Sequence, residues 1–219
     1  MDSHQEFVNS PVAQSPKGDC YSTGERAWME YGQRLRGRLL SPLLAFMTNL
    51  AIRPDHLTLL SLFCGLCFAP LWYLGWGWFA VWALAIHVAF DGLDGPLARY
   101  QNVESPRGSF TDSFCDQLVV STVVITLMTG TPPLGVIAGS IFLVAYTGVL
   151  AMAMVRNSLQ VPYTWLVRPR FLLFFAIPMQ LLQFPYSITT VVWASNLLLA
   201  VKLVTGFFML RKRLDGPCE

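Results

Sequence analysis

The stretch from Asp91 to Asp116 reads DGLDGPLARYQNVESPRGSFTDSFCD, and it sets four carboxylates, Asp91, Asp94, Asp112 and Asp116, between long uncharged segments. On helical flanks, Asp91 and Asp94 lie three residues apart on one face, and Asp112 and Asp116 lie four apart on another. Two such faces turned toward each other converge all four acids. Carboxylates gathered at a membrane boundary repel one another and resist desolvation, so they need either raised pKa values or a compensating cation, and hard divalent cations are the natural partner. With oxygen ligands and no His or Cys in a ligand position, that cation is a hard divalent ion, magnesium, manganese or calcium rather than zinc. Magnesium keeps open positions for phosphate oxygens, which points to phosphate chemistry. Arg99 supplies a cationic fork for such oxygens. Gly95 and Gly108, lacking side chains, let a bulky ligand approach helix backbone.

The membrane setting follows from composition. Of 219 residues, 54% are hydrophobic and 13% charged, and the charges are missing from stretches a soluble protein of this size would not tolerate. Leu57 to Phe90 contains no charged residue and only His87 could become one, and it is too long for one span of roughly 20 residues. It folds once at Leu74-Gly75-Trp76-Gly77. Leu118 to Val155 breaks at Thr129-Gly130-Thr131-Pro132-Pro133, and Phe171 to Leu210, carrying only Lys202, breaks around Gln183-Phe184-Pro185-Tyr186. Three runs folded once each predict an all-α integral membrane protein with six transmembrane helices.

Residues 1–21 are polar, interrupted by Pro11, Pro16 and Gly18, and read as a flexible cytoplasmic tail. Residues 22–53 form a juxtamembrane amphipathic region. Ser22 and Glu25 have capping-box spacing, Trp28, Leu35, Leu39, Leu43, Met47 and Leu50 recur at near-helical intervals, and Arg26, Arg34, Arg36 and Arg38 supply the polar face. Pro42 is expected to bend or interrupt this helix. Pro54 suits the first turn of the next helix, whose free backbone donors could meet an anion. Residues 54–213 make the six-span body, and 214–219 a C-terminal tail.

With six spans, the tails and the second and fourth loops share one side. That side carries Arg53, Arg99, Arg107, Arg156, Arg168, Arg170 and the Arg211-Lys212-Arg213 cluster, while the opposite turns carry no charge. The positive-inside tendency makes it cytoplasmic, together with both termini and the aspartates. The small net positive charge gives no reason to expect nucleic acid, because the basic residues border apolar spans. Cys64 and Cys67 have CxxC spacing but sit inside an apolar run with no second pair, so packing explains them.

The aspartate stretch resembles the signature of the CDP-alcohol phosphatidyltransferases. It matches that family at every fixed position: Asp91, Asp94, Gly95, Ala98, Arg99, Gly108, Asp112 and Asp116. The resemblance implies phospholipid biosynthesis, with residues 54–213 as the transferase domain. The donor it implies is a CDP-linked lipid, typically CDP-diacylglycerol, and the acceptor is the hydroxyl of a small polar, in some relatives phosphorylated, alcohol, with CMP released. It further implies two magnesium or manganese ions on Asp91, Asp94, Asp112 and Asp116, with Asp116 as general base. Asp55, His56, Leu57 and Thr58 resemble the family's segment before the first span, and with Gly95, Arg99, Ser105 and Gly108 they form the implied nucleotide site. Arg156, Arg168 and Arg170 are candidates for an acceptor phosphate. Several relatives with inositol-phosphate acceptors have Arg directly after the last aspartate where this chain has Gln117, so acceptor identity stays open. Transfer of a CDP-choline or CDP-ethanolamine head group to diacylglycerol also stays open, as does a divalent-cation transporter. Members are often homodimers, and no stretch of this chain marks a dimer face.

Overall fold

The structure is a computed structural model and describes residues 40–130, 134–158 and 168–214. Among these there is no β-strand. A helical segment at residues 40–49 (α1) precedes α2 (Pro54–Leu66), α3 (Phe68–Tyr73), α4 (Gly77–Tyr100), α5 (Pro106–Thr129), α6 (Val136–Ser158), α7 (Pro169–Leu181) and α8 (Ser187–Leu214). The expected turns fall where the sequence breaks. Gly75, at φ 77°, closes the turn between α3 and α4, a left-handed conformation that glycine takes without steric cost. Gln183 and Tyr186, at φ 67° and 62°, reverse the chain between α7 and α8.

Among the described residues, four segments are long and apolar enough to cross a membrane: Pro54–Tyr73, Pro106–Thr129, Val136–Arg156 and Ser187–Lys212. The first of these is α2 and α3 together. Pro70 offers no N–H and its ring crowds the carbonyl of Leu66, which accounts for the break at Cys67. The two other expected spans fall on α4, which has the length but carries the motif acids, and on α7. At 13 residues, α7 is about 20 Å long, against a hydrocarbon layer of roughly 30 Å.

α5 is the central helix. Val119, Val120, Val123, Val124 and Leu127 are all buried on it, in a core shared with Phe68, Leu84, Phe142, Leu173, Ile177, Val192 and Leu199. Phe79, Trp82, Val144, Phe175 and Leu197 point outward and are exposed, as suits side chains whose solvent is lipid. A second cluster, Leu44, Met47, Leu57 and Leu97, fastens α1 to the start of α2 and the end of α4. Gln101 reinforces it, its amide nitrogen donating to the Ile52 carbonyl at 2.8 Å and the Thr48 hydroxyl at 3.2 Å.

Two details of the amphipathic region differ from expectation. Residues 40–49 are helical across Pro42, so the proline does not interrupt the helix there. The buried positions are Leu44 and Met47, while Leu43 and Leu50 are exposed, because contact with Leu57 and Leu97 sets the inner face. Residues 22–39, with the Ser22 capping box and the arginine-rich face, lie outside the described residues, as do Cys20 and Cys218.

At Gly65, α2 and α5 pack tightly: a Cβ there would stand 2.5 and 2.7 Å from the two methyl carbons of Val119. Small residues permit this kind of helix contact in membranes. Gly65→Ala should therefore lower stability by about 1–3 kcal/mol through overpacking, read as a fall in thermal midpoint in detergent. Adding Val119→Ala should restore part of it. An unchanged midpoint in Gly65→Ala would mean that the two helices part without cost.

Candidate active site

The site is built at the junction of α4 and α5. Gln101 N–H donates to the Leu97 carbonyl at 2.9 Å and Val103 N–H to the Ala98 carbonyl at 3.0 Å, with Asn102 at φ 54°, so α4 stops and the chain reverses within five residues. Asn tolerates that left-handed conformation better than most residues. Ser105 then caps α5, its hydroxyl oxygen accepting from Gly108 N–H at 3.1 Å, and Pro106 fits the first turn.

This reversal brings the carboxylates together. One oxygen each from Asp91, Asp112 and Asp116 lies within 4.8 Å of the others. Asp94 is a neighbour held apart by its own bonds: Thr58 Oγ1 donates to one oxygen at 2.8 Å and Gly95 N–H to the other at 2.6 Å. Asp112 neighbours both Asp91 and Asp94 across the two helices. Thus α2, α4 and α5 all contribute to the acidic centre. Asp116 Oδ1 is buried and lacks a hydrogen-bond partner. A buried carboxylate oxygen without a donor is costly, and a hard cation among the three acids satisfies it. The residues present therefore fit a magnesium or manganese ion.

A cavity of about 840 Å³ adjoins the acids. Of the expected nucleotide residues, Asp55, Thr58, Gly95, Arg99, Ser105 and Gly108 line it. A Cβ on Gly95 would meet only the Arg99 guanidinium, at 3.8 Å, and one on Gly108 only the Ser105 hydroxyl, at 3.4 Å. Neither glycine is needed for protein packing, so both leave room on the cavity side. His56 and Leu57 are placed elsewhere. The His56 ring accepts from Arg53 N–H at 3.3 Å, and Leu57 is buried against Leu44 and Leu97. Arg99 lies 3.9 Å from Glu104, a pair exposed on both sides and therefore weak.

The three arginines expected at an acceptor differ in setting. Arg168 is exposed at the N-cap of α7, and Arg156 is half-buried in the last turn of α6, near Lys202. Arg170 is 5% exposed and turned into the acids, Nη2 donating to Asp91 Oδ2 at 2.9 Å and Nη1 meeting Asp116 Oδ2. Gln117, directly after the last aspartate, bonds across to Thr147 of α6 at 2.8 Å.

Sequence reasoning missed three residues. His87 is buried, with Nδ1 2.7 Å from Ser61 Oγ and Nε2 4.0 Å from Asp116 Oδ1. Its signal was present, since it precedes Asp91 by four residues on the same helix face. Arg53 and Arg107 also line the cavity, each beside a proline that begins a helix.

The family model described as CDP-alcohol phosphatidyltransferase matches residues 51–208. Inner membrane protein YnjF of Escherichia coli is 33% identical over 97 residues, 44% of this chain and 47% of that protein. Phosphatidylinositol phosphate synthase of Mycobacteroides abscessus is 30% identical over 90 residues, 39% of this chain and 40% of that protein. The matched stretch thus spans less than half the length of either curated relative. The fold is similar to the crystal structure of Mycobacterium tuberculosis phosphatidylinositol phosphate synthase with CDP-DAG bound. That comparison has a TM-score of 0.66 and 20% identity, covering 78% of this chain and 92% of that one. The same enzyme in complex with manganese and citrate gives 0.65 and 20%, over 76% and 86%.

The geometry ranks the acids. Asp112→Asn should weaken Mn2+ binding by about tenfold or more, because it removes the central charged ligand, whereas Asp94→Asn should cost less, since Thr58 and Gly95 already hold that carboxylate. Calorimetric titration of each variant with Mn2+ checks the order, and a larger loss at Asp94 would reverse it.

Proposed function

The chain belongs to the CDP-alcohol phosphatidyltransferase family, and from that premise we propose that it transfers the phosphatidyl group of CDP-diacylglycerol to the hydroxyl of a small polar acceptor and releases CMP. The observation that carries this reading is the convergence of Asp91, Asp112 and Asp116 beside a cavity lined by Gly95, Arg99 and Gly108. The CDP-DAG bound to the solved mycobacterial enzyme supports the donor, and the manganese in its second structure supports the ion.

Asp91, Asp94, Asp112 and Asp116 would hold two magnesium or manganese ions, which when bound neutralise pyrophosphate charge and make CMP a better leaving group. Arg99 grips phosphate oxygens, and the bare backbone at Gly95 and Gly108 lets the nucleotide lie close to α4 and α5. Thr58 fixes Asp94. Asp116 accepts the proton of the acceptor hydroxyl through Oδ1, the oxygen that Arg170 does not touch. The acceptor oxygen bonds to the lipid-bearing phosphorus as the bond from that phosphorus to CMP breaks. Arg156 and Arg168 are the residues best suited to an acceptor phosphate. The body spans the membrane six times, with α4 and α7 completing the four apolar segments and both ends cytoplasmic. This topology is supported by the basic residues Arg53, Arg99, Arg107, Arg156 and Arg168, all at helix ends on the side of the acids.

Two measurements test this reading. Purified protein with magnesium, radiolabelled CDP-diacylglycerol and a panel of acceptors should yield a labelled lipid and CMP, and a chelator should abolish both. Asp116→Asn should lower turnover by about 10²–10⁴-fold, the usual worth of an aligned base, with donor affinity changing less. Asp91→Asn should lose rate and donor affinity together, with partial rescue by raised magnesium. No CMP release with any acceptor, or near-normal turnover by Asp116→Asn, sinks the respective part.

Topology has its own readout. In a background without native cysteines, Thr131→Cys should react with an impermeant thiol reagent on intact cells, and Arg213→Cys only after permeabilisation. The opposite pattern would put the aspartates outside.

A further inference from the structure

Arg170 is the second residue of α7, a helix fixed in the core by the buried Leu173, Ala176 and Ile177. From there its guanidinium reaches two other helices at once, Asp91 on α4 and Asp116 on α5. It also lies over the Phe171 ring, 4.8 Å from the centroid. An arginine is almost never this buried unless its charge is paired, and a planar fork held by two carboxylates from separate helices has little freedom to turn elsewhere. In both acids the oxygen engaged is Oδ2. Asp116 Oδ1 is the buried oxygen without a hydrogen-bond partner, with His87 Nε2 4.0 Å away. The guanidinium thus engages one oxygen of each carboxylate and leaves the other oxygen of each without it.

We propose that Arg170 is a positioning residue that orients Asp91 and Asp116 from outside the metal centre and does not bind the acceptor. This rests on the reading of those aspartates as ion-holding and reacting groups. Ligating carboxylates are commonly aimed by partners of this kind, whose loss costs about 10–100-fold in metal affinity or activity. Arg168, exposed one turn-start earlier, remains the basic residue of α7 that faces outward.

Arg170→Lys tests the proposal because it keeps the charge and removes the fork that spans both carboxylates. Mn2+ binding, read from the free-ion EPR signal of the full-length protein in detergent, should weaken about 10–100-fold. In the transfer assay kcat should fall by a similar factor, while the KM of the acceptor stays within about threefold. Unchanged Mn2+ binding with a raised acceptor KM would make Arg170 an acceptor ligand and overturn the proposal. Tighter Mn2+ binding would overturn it too, since the arginine would then act by opposing the ion. Arg170→Gln, which removes both the charge and the long fork and leaves only a shorter amide, is the second variant, and it must also weaken Mn2+ binding. The EPR measurement uses neither donor nor acceptor. Failure to find any transfer would therefore count against the transferase reading while leaving Arg170 to be decided by metal affinity alone.

Discussion

Carboxylates inside an apolar bundle cannot be left without partners, and the architecture follows from meeting that requirement. An unpaired buried charge costs several kcal/mol. Each neighbouring helix accordingly sends something to the acids: α2 the Thr58 hydroxyl, α4 the Gly95 backbone N–H, α7 the Arg170 guanidinium. The short α7, too brief to be fixed by length, is tied by that guanidinium at its beginning and by Leu173 and Ile177 behind it. Removing any one of these partners exposes the same electrostatic problem, which is why the acids and their surroundings behave as a unit.

α5 divides its duties along its length. Its first three turns carry Gly108, Asp112 and Asp116, and from Val119 onward the same helix is the centre of the hydrophobic core. Chemistry and packing thus share one rigid rod, and its placement is governed by the tight contact of Gly65 with Val119. The donor cavity is framed differently. Its wall at Arg53, Pro54 and Asp55 depends on the small cluster around Leu44, Leu57 and Leu97 and on the Gln101 amide that ties α4 to the chain before α2.

What could be read from the sequence was what local signals encode. The turns at Gly75, after Thr129 and at Gln183 to Tyr186 were legible because polar and proline-rich breaks interrupt apolar runs. The four aspartates were legible because charge in such runs is conspicuous and helical spacing fixes their faces. The rest depended on which helix neighbours which. Two residues apart, Arg168 and Arg170 fall on opposite sides of a helix, but nothing local says which of them points inward, and the packing of α7 decides that. His87 was passed over because its partners, Ser61 and Asp116, come from two other helices. The inner face of α1 and the burial of Leu57 depend likewise on which helices meet there, with Leu44, Leu57 and Leu97 closing on one another.

The reversal at Gln101 to Ser105 gives the motif's spacing a mechanical meaning. The left-handed Asn102 and the Ser105 cap fix both where α4 stops and where α5 starts. One additional residue entering α5 ahead of Gly108 would turn every later side chain by about 100°. Asp112 and Asp116 would swing off the face shared with Asp91, and Val119 would leave its seat against Gly65. The interval between the two halves of the motif therefore works as a phase lock between two rotors. Apart from Asn102 and Ser105, which set the two helix ends, the loop's length rather than its side chains carries this register, and an insertion or deletion that passes into α5 would disturb the site and the core together.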